Sequence, residues 1–181
     1  MDSPGASSCD GGLENGCFER YPVGTVLASN AVAWAIYAIG TYLMARHGVG
    51  PALIYAVSCL WVEFRVLTKS CRNCWYYGRR CGFGKGKLCA LLFPKGDPAD
   101  FLRTDITWWD VVPDFAVGLL PVAAGTVLLV RGFSWALLGL VLLLLLLTTA
   151  GNGFVRGVLV CRHCRQRELG CPAQKLFESR P

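Results

Sequence analysis

The residues of this chain best suited to chemistry are its cysteines, ten among 181 residues. Six of them stand in two copies of one spacing. CRNCWYYGRRC supplies Cys71, Cys74 and Cys81, and CRHCRQRELGC supplies Cys161, Cys164 and Cys171, so both segments read C-x2-C-x6-C at an offset of 90 residues. Two residues between thiolates let a tight turn aim both sulfurs at one ion, with Zn–S near about 2.3 Å. The basic neighbours Arg72, Arg79, Arg80, Arg162, Arg165 and Arg167 lower thiol pKa and offset the charge of a thiolate cluster. Paired C-x2-C units on a reducing side of a membrane therefore read as metal sites rather than as disulfides. Cys89 is a fourth donor for the first segment, and Cys9, Cys17 or His163 is an additional donor for the second.

The two halves together resemble the ligand pattern of fungal binuclear zinc-cluster transcription factors, in which six cysteines hold two zincs and two of the cysteines bridge. The resemblance covers residues 71–81 and 161–171 alone, and the halves here are separated by 79 residues that include two apolar stretches, where that family has a short loop. What it implies is a six-thiolate site made by Cys71, Cys74, Cys81, Cys161, Cys164 and Cys171, and not DNA binding. Structural zinc is the expected cofactor. An iron–sulfur cluster is the alternative, since Cys171-Pro172 is similar to the Cys-Pro ending a bacterial ferredoxin run, although the x6 spacing departs from that motif. Thiolates are also compatible with Cu(I). Ordinary palmitoylated cysteines near a membrane are the plainer alternative, and the repeated spacing argues against it.

The elements that must position these thiols are apolar helices. The chain is 54% hydrophobic and 17% charged, with a mean hydropathy of +0.43 and a net charge of +6. An ordinary soluble domain has about 25% charged residues. Four apolar stretches are visible: Val23 to Ala45, Pro51 to Leu67, Val111 to Val130, and one starting at Phe133 that continues through LLGLVLLLLLLTTA. A bilayer-crossing helix needs about 20 such residues. The expected architecture is an all-α integral membrane protein with four transmembrane helices. They form two duplicated hairpins, each followed by a C-x2-C-x6-C cytoplasmic knuckle. In segments this gives an acidic, polar tail over 1–22, a first hairpin over 23–67, a loop with the first knuckle over 68–110, a second hairpin over 111–160, and the second knuckle with its tail over 161–181. The tail carries Asp2, Asp10, Glu14 and Glu19 against Arg20, unlike a secretory signal, and is expected to be poorly ordered unless Cys9 and Cys17 are tied down.

Orientation follows from the basic residues. The two hairpin turns hold only Arg46 and Arg131, whereas the long loop with its helix ends and the C-terminal tail together hold fifteen Lys and Arg. Both termini and both knuckles are thus expected on the cytoplasmic side, with Cys59 the one cysteine inside a span. Glu63, Arg65, Asp114 and Arg156 should share a depth just beneath the cysteines, as an intramembrane charge layer. Structural salt bridges compete with function for that layer. Gly82 to Lys87 reads as a flexible basic loop on an acidic lipid surface, and Trp75-Tyr76-Tyr77 and Trp108-Trp109 as an interfacial aromatic belt.

No nucleotide fingerprint or Ser-His-Asp arrangement is present, so whether the protein is an enzyme stays open. The favoured function is a metal-binding membrane subunit, structural or partner-docking, with membrane lipid and a cytoplasmic protein as partners and no nucleic acid. Iron–sulfur electron transfer, membrane thiol exchange and metal-ion transport through Glu63, Asp114 and Cys59 are the alternatives. Quinone-linked disulfide-forming proteins and vitamin K epoxide reductase are architectural analogues for thiol exchange, but their reactive cysteines face the oxidising side.

Overall fold

The computed structural model describes residues 17–103 and 107–172. Among these residues the chain is helical, and its one pairing of extended backbone is an isolated parallel bridge between Phe18 and Cys164. Helix α1 is Val23–Ala45. A turn through Gly48, whose φ of 136° is a region that side chains with a Cβ avoid, leads into α2, Val49–Val66, which continues as a π-helical turn to Cys71. Two short helices follow, α3 at Lys85–Leu92 and α4 at Pro98–Arg103. Helix α5 is Trp108–Arg131, and α6 starts at Trp135 and runs through two π-helical stretches to His163. A last helical turn spans Arg165–Glu168.

Four of these helices, of 23, 23, 24 and 29 residues, are long and apolar enough to cross a membrane. They leave Trp34, Ile54, Leu60, Val130 and Trp135 largely exposed, a surface that suits lipid and not water. Only the first coincides with its sequence-based bounds. The second span runs on to Cys71, because the π-turn keeps Thr68–Cys71 helical. The third starts at Trp108 because Thr107 and Asp110 form a reciprocal cap, with the Thr107 N–H donating to Asp110 Oδ2 at 3.2 Å. The fourth continues past Ala150 and takes Cys161 with it, so Cys59 is not the one cysteine within the spans.

Helix α1 packs against α2, α5 and α6. Ile36 and Leu43 meet Val141 and Leu144 in one buried cluster, and Tyr55, Cys59, Val62 and Val117 form another between α2 and α5. Glycines bring the helices close: Gly118 lies against Thr148, and Gly125 lies against Val141 and Leu43. Pro121, buried in α5, has no N–H to offer Val117, and the Tyr55 hydroxyl donates to that carbonyl instead at 2.9 Å.

Candidate functional site

The first cysteine segment begins on the last turn of α2 and then folds as tight turns. Tyr77 N–H donates to the Cys74 carbonyl at 3.0 Å and Arg79 N–H to the Tyr76 carbonyl at 2.9 Å. Gly86 then packs its Cα into the same turns. A Cβ there would lie under 3.0 Å from the carbonyl oxygens of Tyr76 and Arg79, so only glycine fits. Its N–H donates to Cys81 Sγ at 3.3 Å, and its carbonyl accepts from Gly78 N–H at 3.0 Å. The Gly82–Lys87 stretch is therefore packed and hydrogen-bonded against the first cysteine segment. It is the pinned entry to α3, and Lys85 within it is ion-paired to Glu63.

The second segment docks onto the first. Trp75 N–H donates to Gln166 Oε1 at 2.9 Å, with Gln166 buried, and Arg165 N–H donates to the Tyr76 hydroxyl oxygen at 3.1 Å. Two guanidinium groups stand over the Trp75 ring, Arg79 at 4.2 Å and Arg165 at 4.9 Å from its centroid. Residues ahead of α1 complete the assembly. Phe18 N–H donates to the His163 carbonyl at 3.0 Å, its own carbonyl accepts from the Tyr76 hydroxyl, and the Tyr21 hydroxyl donates to the Val160 carbonyl at 2.6 Å. Residues 17–22 are thus part of a cap across one end of the bundle and not a loose tail, because Phe18 and Tyr21 bury aromatic surface there. Tyr76 is 2% exposed at the centre of this cap, which removes it from any interfacial belt, while Trp108 and Trp109 stay exposed as a belt requires.

The cap gathers thiols. Cys74, Cys81 and Cys164 pack against the buried cluster of Tyr21, Tyr76, Val155 and Val160. Cys74 lies within electrostatic reach of Cys81 in its own segment and of Cys164 and Cys171 in the other, while Cys161 and Cys171 act on each other. Burial, followed by these neighbouring thiols, pushes Cys74 up to about 12, and burial likewise raises Cys164. The sulfurs are neighbours without being converged: among the described residues no three Cys, His, Asp or Glu side chains are grouped to hold a metal ion. Thiol chemistry suits zinc, but this arrangement would have to draw inward to ligate it. Cys89 is fully buried, with its thiol directed to the Leu67 carbonyl at 3.5 Å, where it packs α3 on the end of α2. His163 stacks near Phe18 at 5.0 Å between ring centroids. Cys17 is half-buried ahead of Phe18, and Cys9 lies outside the described residues.

Beneath the cap the charged side chains are distributed among several partners. Glu63 takes Lys85 and the Tyr37 hydroxyl, the latter at 2.7 Å. Arg65 pairs with Asp110 at 3.2 Å and lies 5.6 Å from the centroid of the Trp61 ring. Arg156 lies 5.8 Å from the centroid of the Phe83 ring. Asp114 has no ion pair within 4.0 Å among the described residues, and Arg156, Arg65, Lys85 and Glu63 are the charges acting on it. Lys85, Tyr37 and Asp110 are members that sequence reasoning missed. Their roles depend on contacts across 22, 26 and 45 residues of sequence, for which no local pattern exists.

Comparison with known families, with curated proteins and with solved structures finds no match to this chain.

Proposed function

We propose that this chain is a four-span membrane protein whose two cysteine segments form one thiol-rich cap on the cytoplasmic face, locked by structural zinc and serving as a docking platform for a protein partner. One observation carries the reading: segments 90 residues apart in sequence are bonded to each other through Trp75 to Gln166 and Arg165 to Tyr76, with Cys74, Cys81 and Cys164 packed against one buried cluster. The spans and the excess of basic residues on the capped side support the membrane placement and its orientation. The repeated spacing, with each segment entered through a π-helical stretch, supports duplication of a hairpin-plus-knuckle unit. Thiolates drawn from both segments would hold the zinc, with Cys71, Cys74, Cys81, Cys161, Cys164 and Cys171 as its donors. A closed thiolate site adds folding energy and leaves no open position for catalysis, which suits a platform better than an enzyme.

Metal analysis of protein purified anaerobically in detergent tests this. Zinc at about one to two per chain in a colourless sample is expected, and it should fall in Cys74→Ser and Cys164→Ser but not in Cys59→Ser. Iron and sulfide with a broad visible band would replace zinc by electron transfer. Metal-free protein with full stability would remove the metal altogether.

A further inference from the structure

A groove of about 410 Å³ opens beside the cap, between the first cysteine segment and α4. That volume is in the range of about 300–1,000 Å³ typical of small-molecule clefts. Trp75, Tyr77 and Leu102 wall it, Arg79 and Lys95 supply its charge, and among the described residues no carboxylate lines it. Neither Arg79 nor Lys95 forms an ion pair with a described residue. A third cation, Arg165, stacks on the same Trp75 ring, and its Glu19 partner is 73% exposed. Arg79 and Lys95 thus face the groove without a described counter-charge, and an anion placed between them relieves their mutual repulsion.

The walls are fixed in place. Gln166, 5% exposed, holds the Trp75 backbone, and the Tyr77 hydroxyl donates to the Phe93 carbonyl at 2.8 Å. Two guanidinium groups already stand over the Trp75 ring, so a flat ligand ring would compete with them for stacking there. What remains is a charged patch next to apolar wall. We infer that this groove binds a phosphate-type anion carried on an apolar body, with Arg79 and Lys95 as the anion-binding residues. A soluble phosphate ester and the headgroup of an anionic lipid share this chemistry.

Two probes test it on the full chain. Inorganic phosphate is titrated calorimetrically at low salt in detergent, and retention of phosphatidic acid is measured by native mass spectrometry after extraction from nanodiscs of phosphatidylcholine with and without phosphatidic acid. Lys95→Gln and Arg79→Gln should each weaken binding by about tenfold or more, the loss expected for one charge-assisted hydrogen bond. Arg46→Gln, in the turn between α1 and α2, should bind as the parent does. Lys95 is exposed, so its variant leaves the packing alone. Phosphate binding places a soluble ester in the groove, and retention of phosphatidic acid alone places a lipid there. Failure of both probes at millimolar concentration, or equal binding by parent and variants, overturns the site. Metal content measured on the same samples separates this outcome from the zinc reading, since phosphate binding by metal-free protein would count against zinc and not against the groove.

Discussion

The hydroxyl of Tyr55 on α2 donates to the carbonyl of Val117 on α5, the one carbonyl that Pro121 leaves without its helical donor. A proline inside a spanning helix frees a polar group where no water is at hand, and here a neighbouring helix satisfies it. Tyr55→Phe should therefore destabilise the protein by about 1–2 kcal/mol, read as a lower thermal midpoint in detergent. Pro121→Ala restores an N–H opposite Val117, so Tyr55→Phe should cost less in that background than in the parent. Strict additivity of the two would mean that the hydroxyl does not serve the proline's orphan.

The same tyrosine dictates its neighbour on α1. A Cβ on Gly40 would meet the Tyr55 ring and hydroxyl at under 3.0 Å, whereas one on Gly24 would meet nothing within 4 Å. Gly40→Ala should destabilise by about 1–3 kcal/mol through overpacking. Gly24→Ala, in the first turn of the same helix, should be neutral or stabilising by up to about 1 kcal/mol. Opposite signs in thermal unfolding are the expected result, and equal effects would place the α1–α2 crossing elsewhere.

Lys85 and Glu63 tie the start of α3 to the body of α2, at 23% and 29% side-chain exposure. Removing one partner strands the other charge, at a cost of about 1–3 kcal/mol once partial exposure is allowed for. Lys85→Gln should also speed hydrogen exchange across Lys85–Leu92. The double variant with Glu63→Gln should recover much of the stability, because no charge is then left unpaired. A double variant as unstable as the sum of the singles would show that the two do not act as a pair.

Tyr76 holds the cap from its centre, giving its proton to Phe18 and accepting from Arg165. Burial first, with the nearby Cys164 thiol among the lesser causes, pushes its phenol well above the ordinary tyrosine range, so it stays a neutral donor. Tyr76→Phe keeps the ring and deletes both bonds. Cys17 and Cys164 should then alkylate severalfold faster, with Cys59 unchanged within the bundle. Unaltered labelling of Cys164 would mean that the aromatic packing alone secures the cap.

Much of the architecture is legible in the residues because lipid imposes a simple length and polarity requirement. Val23–Ala45 could be read to the residue, and the other three spans were recognisable but too short at one or both ends. Their ends were missed because caps and π-turns, such as the Thr107–Asp110 pair and Leu67–Cys71, extend helices without adding apolar residues. The apolar pattern leads to the expectation of one depth for Glu63, Arg65, Asp114 and Arg156, but it carries no sign of the partners Asp110 and Lys85, which arrive from other elements.

Four apolar segments, an uneven spread of Lys and Arg along the chain and two cysteine segments in one register can be read from the residues alone, since each is a local property of composition or spacing. That Gly86 packs against the first cysteine segment, that residues 17–22 join the cap, and that Trp75 and Tyr76 join the two cysteine segments emerges only on folding. Those facts turn on single hydrogen bonds and sub-ångström clearances between distant stretches of chain. Such contacts exist only after the helices have packed, and hydrophobic pattern carries no record of them.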